Sequence, residues 1–238
     1  MNAPHIHAIV PVRGGSERVI NKNLRPFAGS DLLRIKIAQL LAVPGLAGVH
    51  VSSESREMLD VAEKAGAVPH ERDPHYATSV VPMSDVYAYM ASQVEAEHLL
   101  LTHVTNPLAG SEVYARAIIE YDTLGADQDS LTTVADVKDF LYKDGKPLNF
   151  DPKNKPRSQD LPDIVKLTHV VSIATRELIV STKEWFSARA RFMKLDALSS
   201  FDIDTPLDFR IAEWLYMEEQ GGAQRVDAQH AHRDGQAR

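Results

Sequence analysis

The chain has 238 residues, 44% of them hydrophobic and 25% charged, which is typical of one soluble domain with or without a small appendage. The absence of cysteine excludes disulfides, thiolate catalysis and cysteine-ligated zinc, and a net charge of −7 disfavours a general nucleic-acid binder without excluding small anionic ligands. There is no long apolar run to span a membrane and no pattern of a secretory signal, so we expect a cytoplasmic protein with no membrane partner.

The first 135 residues alternate between segments typical of strands and of helices. Strands are predicted at 7–12, 48–53, 98–104 and 130–137, and helices at 30–43, 54–67, 81–97 and 111–125. Ser30 or Asp31 is the expected N-cap of the first helix, and Gly66 is expected to end the second. This alternation predicts an α/β fold with a doubly wound, mostly parallel sheet that binds its ligands at the carboxyl ends of the strands.

The alternation breaks in the second half of the chain. Residues 138–163 are rich in Lys, Asp, Asn and Pro, which predicts a hairpin followed by an irregular loop. Residues 165–180 return to a strand and a short helix. A further strand and helix are predicted over 199–219, with Thr205 as N-cap and Pro206 at the first helical position.

The last residues, 221–238, contain almost nothing apolar to bury. They predict a disordered tail after a single domain of residues 1–220.

The loop after the first strand is the first candidate for a ligand site. Gly14 and Gly15 let backbone N–H groups approach an anion, and Arg13, Arg18 and Lys22 could neutralise a polyphosphate. The spacing matches neither the Walker P-loop nor the G-x-G-x-x-G fingerprint, so an ordinary turn remains the alternative.

The segment "DIDT" at 202–205 is the second candidate. On a strand, Asp202 and Asp204 would project from the same face, and two neighbouring carboxylates suit Mg²⁺ together with substrate phosphates. The alternative is a simple strand-to-helix turn in which Asp204 or Thr205 caps the helix.

The loop "KNKPRSQDLPD" is the third candidate, with Arg157 as its best-placed charge. A solvated loop is the alternative. A basic glycine loop after the first strand combined with a late Asp-x-Asp suits phosphate binding at one end of a sheet and metal binding at the other side.

Five segments in order resemble the CMP-sialic acid synthetase (acylneuraminate cytidylyltransferase) family. They are "IVPVRGGSERVINKNLRPFAGSDLL", "VHVSSESREMLDVAEKAGA", "LLLTHVTNPLAGSE", "RSQDLPDIVKLTHVVSIATRE" and "SFDIDTPLDFRIAE". The resemblance runs through about residue 219, and its ordered set of motifs is far more specific than any one of them.

This resemblance implies a nucleotidyltransferase sheet of the GT-A type and a homodimer, with about 138–170 as a small protruding dimerisation and acceptor-side element. It also implies Mg²⁺-dependent transfer of CMP from CTP to an acidic, sialic acid-like sugar, with release of pyrophosphate. The implied CTP-binding residues are Arg13, Gly14, Gly15, Ser16, Lys22, Asn23 and Arg72. Catalysis is assigned to Arg13, Lys22, Asp202 and Asp204, the last two holding the metal, and acceptor binding to His103, Arg157, Gln159, Thr168 and His169.

The chain departs from the family motifs mostly on the acceptor side. Glu17 stands where the family usually has lysine, which places an acid near the expected triphosphate. His103 replaces a glutamine, Ala109 an arginine, and Thr168 with His169 an Asn-Gly pair. His103 could act as a base, bind the acceptor's anionic group, or merely end a strand.

These departures keep other functions open. The acceptor-side changes keep open a cytidylyltransferase for another acidic acceptor, such as a phosphonate or a Kdo-like sugar, and Glu17 keeps open a catalytically weak nucleotide-binding homologue. A GT-A glycosyltransferase is a third alternative, because that fold also uses Asp-x-Asp, but its metal motif normally lies mid-chain and not at residue 202.

Overall fold

A computed structural model describes residues 6–15 and 18–234, and from residue 221 onward it describes the backbone alone. The strands are β1 (Ile6–Pro11), β2 (Leu46–Ser53), β3 (Val68–Glu71), β4 (His98–Leu101), β5 (Ser130–Val137), β6 (Tyr142–Lys143), β7 (Lys146–Pro147), β8 (Ile164–Thr175) and β9 (Ala190–Lys194). The helices are α1 (Leu32–Leu41), α2 (Arg56–Lys64), α3 (Met83–Ser92), α4 (Ser111–Asp122), α5 (Arg176–Thr182) and α6 (Pro206–Asp234). The alternation predicted for the first 135 residues is confirmed.

Seven of the strands form one sheet, in the order β3-β2-β1-β4-β8-β5-β9. The pairs β1–β2, β1–β4, β2–β3 and β5–β9 are parallel, and β8 is antiparallel to both of its neighbours. Strands β6 and β7 pair as the separate hairpin expected after residue 138. The structure thus confirms an α/β fold with a mostly parallel sheet.

Helices cover both faces of this sheet because successive strand residues point to opposite sides. Val10 of β1 packs into the larger core, whereas its neighbour Ile9 packs into a second core with Trp185. Helices α1, α2, α4 and α6 contribute to the first core, and α3 and α5 to the second. The sheet is therefore doubly wound, as predicted.

Two predicted helix caps are present. The Asp31 carboxylate accepts a hydrogen bond from the Arg34 backbone N–H at 2.8 Å, which selects Asp31 over Ser30 as the N-cap of α1. Thr205 Oγ1 accepts from the Asp208 backbone N–H at 3.2 Å, and Asp208 Oδ2 accepts from the Thr205 N–H at 2.7 Å. This reciprocal pair fixes the start of α6 directly behind the Asp-Ile-Asp segment.

The strand predicted from residue 199 is wrong. Residues 201–204 belong to no strand of the sheet, and the segment is fastened instead by the Ile203 backbone N–H, which donates to the Thr105 carbonyl at 2.9 Å. Strand β9 was not predicted, because as an edge strand it buries little and its "ARFMK" sequence lacks an alternating apolar pattern.

Helix α6 reaches Asp234 and so continues beyond residue 220, where we expected a disordered tail to begin. The division into a domain and a tail stays a prediction. Among the described residues, every helix is too short or too polar to cross a lipid bilayer.

Candidate active site

The candidate site lies at the carboxyl ends of β1 and β4, where the strand order reverses. Strand β1 lies between β2 and β4, so the connections from β1 and β4 diverge around a crevice, the usual ligand position in doubly wound sheets. Two clefts of about 350 and 420 Å³ open there, and a third of about 680 Å³ lies farther along the same edge of the sheet, beside the ends of β5 and β9. Each is large enough for part of a nucleotide or a sugar.

The loop after β1 is held in place by backbone contacts. The Gly14 N–H donates to Glu54 Oε1 at 2.7 Å, and the buried Asn23 side chain donates to the Arg13 carbonyl at 3.0 Å. Gly15 has a φ of +72°, a conformation that favours glycine. Asn23, expected to bind CTP, thus shapes the loop. Ser16, also expected at CTP, and Glu17 lie outside the described residues.

A basic cleft opens beside this loop. Its polar lining is supplied by Arg13, Arg18, Lys22, Asn23, His103 and Thr105. The Lys22 ammonium donates to the Ile203 carbonyl at 2.7 Å. Burial lowers the pKa of Lys22, and the nearby carboxylates of Asp202 and Asp204 partly oppose that effect. The cleft therefore offers partly desolvated positive charge to an anion.

The two aspartates face the same side although they are not on a strand. Ile203 between them is fully buried, whereas Asp202 and Asp204 both line the largest cleft. Burial raises the pKa of Asp202; a hydrogen bond from Thr105 opposes this, and the charge of Asp204 adds to it. The Asp204 carboxylate pairs with exposed Arg18 at 2.8 Å. A cation bound beside these two carboxylates would offset their mutual repulsion and favour the ionised form of Asp202.

This largest cleft, the acidic cleft, also contains Thr168 and His169. Thr168 is buried and its hydroxyl donates to Thr133 Oγ1 at 2.8 Å, so it shapes the wall. His169 has a φ of +54°, a left-handed conformation uncommon for a residue other than glycine. Its imidazole lies close enough to Asp202 to lower the pKa of that carboxyl.

His103 lies where the clefts meet. Its ring packs edge-on against His169 with centroids 6.4 Å apart and lines both of the smaller clefts. Burial, followed by the neighbouring charges of His169, Lys22 and Lys36, lowers the pKa of His103 to about 4. The imidazole is therefore neutral near pH 7, which favours hydrogen bonding over charge pairing with an acidic acceptor.

The third cleft is the most apolar, with Tyr76, Val81 and Val86 in its lining. Arg72 lies on its wall with 4% of its surface exposed, and it donates to the Ser52 hydroxyl and carbonyl at 3.1 and 2.5 Å. Burial lowers the pKa of Arg72, and the carboxylate of Glu54 opposes this. An apolar slot with one fixed guanidinium suits a planar, polar ring.

Arg157 and Gln159, expected to border the acceptor, are not among the residues lining these clefts. Both are exposed on the loop that contains the 3₁₀ turn Ser158–Asp160. Arg157 forms an ion pair with Asp160 at 2.6 Å on the same turn. Their acceptor role stays a prediction.

The sequence reasoning missed three residues that build the site. Glu54 accepts a hydrogen bond from the Gly14 N–H, and the Asn106 amide donates one to Asp202. Lys36 is buried and donates to the Asn106 carbonyl. Glu54 and Asn106 both follow buried strands, so their position at carboxyl ends of strands was the available signal. Lys36 gave no signal, because a lysine within an amphipathic helix is normally expected on the exposed face.

Comparison with known proteins matches residues 7–229 to the cytidylyltransferase family model. The chain is 30% identical over 230 residues to CMP-N,N'-diacetyllegionaminic acid synthase of Legionella pneumophila, with 88% of this chain and 95% of that protein covered. It is 27% identical over 222 residues to pseudaminic acid cytidylyltransferase of Campylobacter jejuni, covering 87% and 94%.

Solved structures with similar folds are also cytidylyltransferases. One is CMP:2-keto-3-deoxy-manno-octonic acid synthetase complexed with CTP, with a TM-score of 0.67, 15% identity, and 90% and 99% of the two chains covered. Another is 4-diphosphocytidyl-2C-methyl-D-erythritol synthase from Anaerococcus prevotii, with a TM-score of 0.67, 13% identity, and coverage of 90% and 97%. At this identity the likeness shows the nucleotidyltransferase fold alone.

Proposed function

The chain belongs to the cytidylyltransferase family, of CMP-sialic acid synthetase type, and is a nucleotidyltransferase; on this basis we propose that it transfers CMP from CTP to an acidic, sialic acid-like nonulosonic acid and releases pyrophosphate. The observation that carries the proposal is the 2.7 Å hydrogen bond from Lys22 to the Ile203 carbonyl. It joins the basic loop to the Asp-Ile-Asp segment, so that phosphate-binding cations and metal-binding acids share one edge of the sheet.

The three clefts divide the substrates by charge. The basic cleft, with Arg13, Arg18 and Lys22, takes the triphosphate, because cations in a partly desolvated site bind phosphate strongly. The apolar cleft beside Arg72 and Tyr76 takes the cytosine ring. The remaining acidic cleft takes the acceptor, whose negative charge would be met there by Lys166 and by the bound cation.

The residues at the edge of the acidic cleft fit Mg²⁺. Two carboxylates, Asp202 and Asp204, match the donor set that Mg²⁺ uses with waters and substrate phosphates in nucleotide sites. Burial raises the pKa of the Asp202 carboxyl, and the charges of Lys22 and His169 only partly oppose this, so a bound cation would favour its ionised form. Bound there, Mg²⁺ would supply charge to phosphate oxygens and increase the acidity of an acceptor hydroxyl.

The protein's own contribution is positioning and charge stabilisation. The acceptor hydroxyl loses its proton to solvent as its oxygen attacks the α-phosphorus in line; the new O–P bond forms while the bond to pyrophosphate breaks and pyrophosphate carries away the bonding electrons. Arg13 and Lys22 offset the charge that accumulates on the leaving pyrophosphate. The Gly14–Glu54 and Asn23–Arg13 contacts hold the loop before substrate arrives, so that little reorganisation accompanies the reaction.

The acceptor side is where this chain differs from the motifs it resembles. His103 and His169 contact each other at the boundary between the acidic and basic clefts. With glutamine at position 103 and glycine at position 169, as in the similar motifs, this part of the cleft would have a different shape. This contact favours a second candidate function, cytidylyl transfer to another acidic acceptor such as a phosphonate or a Kdo-like sugar.

The test is pyrophosphate release from CTP and Mg²⁺ with a panel of nonulosonic acids, Kdo and phosphonates. Nonulosonic acids are expected to give the highest kcat/KM, and a preference for Kdo or a phosphonate would select the second candidate. CTP binding without pyrophosphate release for any acceptor would contradict both candidates and favour a catalytically weak homologue. The same assay without Mg²⁺ tests the metal requirement.

The same proposal includes a homodimer formed through the element at 138–170. Its hairpin contains an aromatic cluster in which Phe140 and Phe150 lie edge to face at 4.9 Å. Tyr142 and Leu148 beside them are 60% and 59% exposed. Apolar side chains gathered on a protruding hairpin suit a partner surface. Light scattering should give twice the chain mass, and Tyr142→Ser should shift the equilibrium toward monomer.

A further inference from the structure

Lys36 is a fully buried cation on α1, beneath the candidate site. Its ammonium donates to the Asn106 carbonyl at 2.9 Å and to the Tyr114 hydroxyl, and it lies 4.8 Å from the centre of the Tyr114 ring. Burial lowers the pKa of Lys36 to about 7, and the charge of Glu112 opposes that effect. An apolar side chain of similar size would fill this position with less loss of stability, so packing alone gives no reason for a lysine.

Asn106, whose carbonyl accepts the hydrogen bond from Lys36, also contacts Asp202 of the Asp-Ile-Asp segment. Asn106 is fully buried, and its side-chain amide donates to the Phe201 carbonyl at 3.1 Å and to Asp202 Oδ1 at 3.3 Å. Lys36 fixes the backbone of Asn106, and Asn106 aims its amide at the carboxylate. These contacts form a continuous path from α1 to Asp202.

Helix α1 contacts both loops that form the site, the basic loop after β1 and the loop after β4. One turn along from Lys36, Gln39 donates to the Pro107 carbonyl at 2.7 Å, so two side chains of the helix hold the loop after β4. At the start of the helix, the Leu33 N–H donates to the Asn23 carbonyl at 3.1 Å and so anchors the basic loop. The helix therefore sets the distance between the basic loop and the loop that carries Asn106.

We propose that Lys36 is a positioning residue: through Asn106 it holds the Asp202 carboxylate in the orientation that binds the divalent cation. The proposal rests on the proposed function, because it takes Asp202 as a cation ligand. Lys36 itself is fully buried and lines none of the three clefts, so it acts only through its neighbours. Its removal should therefore weaken cation binding while leaving the fold intact.

The test measures Mn²⁺ binding directly, by titration followed by electron paramagnetic resonance, on wild type, Lys36→Met, Asn106→Ala and the double variant. Lys36→Met should weaken Mn²⁺ binding about tenfold, equivalent to about 1.4 kcal/mol. Asn106→Ala should weaken it to a similar extent. The double variant should be no weaker than the more impaired single variant, since both residues act along one path.

Tyr114→Phe is the matched control. It removes the other hydrogen-bond partner of Lys36 while leaving the Lys36–Asn106 contact, so Mn²⁺ affinity should stay within about twofold of wild type. Lys36→Met should also melt at a higher temperature than wild type near pH 7, because a desolvated ammonium has been removed. A general loss of structure in Lys36→Met would also weaken Mn²⁺ binding but would lower the melting temperature, so the two readouts together distinguish it from the loss of a positioning contact.

The outcomes separate this proposal from the proposed function. Wild-type Mn²⁺ affinity in Lys36→Met, or fully additive effects in the double variant, would overturn the role of Lys36 and leave the cytidylyltransferase assignment untouched. A wild-type protein that transfers CMP but binds no Mn²⁺ would remove Asp202 as a cation ligand and the Lys36 proposal with it. If Lys36→Met does not fold, unchanged Mn²⁺ binding in Asn106→Ala would overturn the proposal on its own.

Discussion

Replacing His103 with glutamine should make the protein less sensitive to acid. The pKa of His103 in the folded chain is about 4, against 6.5 for a solvated imidazole. Between these two pH values the unfolded chain binds a proton at His103 that the folded chain does not. The free energy of unfolding therefore loses nothing to this group above about pH 6.5 and falls as the pH drops toward 4. The full gap corresponds to about 3 kcal/mol, of which about 2 kcal/mol is lost by about pH 5.

The assay is denaturant unfolding of wild type and His103→Gln at about pH 7 and pH 5. Between pH 7 and pH 5 the free energy of unfolding should fall by about 2 kcal/mol less in the variant than in wild type, whatever the absolute stability of the variant. His75→Gln, at an exposed histidine, controls for the loss of an imidazole elsewhere. Equal pH dependence in wild type and His103→Gln would refute the reasoning that burial keeps this imidazole neutral.

The same reasoning has a kinetic consequence. A neutral His103 acts through hydrogen bonds, and glutamine can donate and accept them in its place. His103→Gln should therefore keep kcat within about tenfold of wild type, whereas His103→Leu should lose much more. If both substitutions were equally damaging near neutral pH, a charged or proton-transferring imidazole would be indicated.

Three further predictions concern the metal ligands, a buried arginine and a second buried histidine. Asp202→Asn and Asp204→Asn should each lower metal-dependent turnover by about a hundredfold or more, since each removes a negative charge from the cation; full activity in both would refute the metal assignment. Arg72→Lys should raise the KM for CTP and lower the free energy of unfolding by about 1–3 kcal/mol, because one ammonium cannot reproduce both contacts to Ser52. Steady-state kinetics and denaturant unfolding check this, and unchanged values in both would count against the place of Arg72 at the nucleotide. His50→Phe should reduce the loss of stability between about pH 7 and pH 5 by about 2 kcal/mol, because burial, followed by the charges of His70 and His7, lowers the pKa of His50 to about 4; denaturant unfolding at both pH values checks this, and an unaltered pH dependence would contradict it.

The sequence was sufficient to place the loop after β1 and the start of α6. The β-branched run at 7–12 and the glycines that follow it permit few local structures, and Thr205 with Pro206 is a strong local signal for a helix start. Such features depend on neighbours in the chain. They were therefore predictable without knowledge of the fold.

The form of the Asp-Ile-Asp segment was not predictable in the same way. A buried Ile203 between two exposed aspartates gives the alternation of a strand, yet the segment has no partner strand and is held by Thr105 and Asn106. The same alternation arises in any extended segment with one buried side. Whether a strand forms depends on which backbone lies beside it, and that is decided by residues about a hundred positions away.

His169 illustrates a related limit. The sequence shows a histidine where the similar motif has glycine, which could mean either a changed backbone or a strained residue. The structure shows that His169 adopts the left-handed conformation that glycine favours, with φ at +54°. The strain, of order 1 kcal/mol, is stored where the acceptor is proposed to bind. Replacement by glycine should therefore relieve strain and open the acidic cleft at the same time.

The candidate site as a whole is assembled from groups that are unfavourable without ligand. Burial raises the pKa of Asp202 and lowers that of Lys22, so each ionised group is partly desolvated without full compensation from the other. A cation beside Asp202 and phosphates beside Lys22 would compensate both at once. Because the cation and the phosphates compensate different groups, we expect either ligand alone to gain one of these contributions and the metal–nucleotide complex to gain both. In the proposed function, a chain of net negative charge would bind a polyanion through a few partly desolvated cations at one edge of the sheet, because the overall charge acts only at long range.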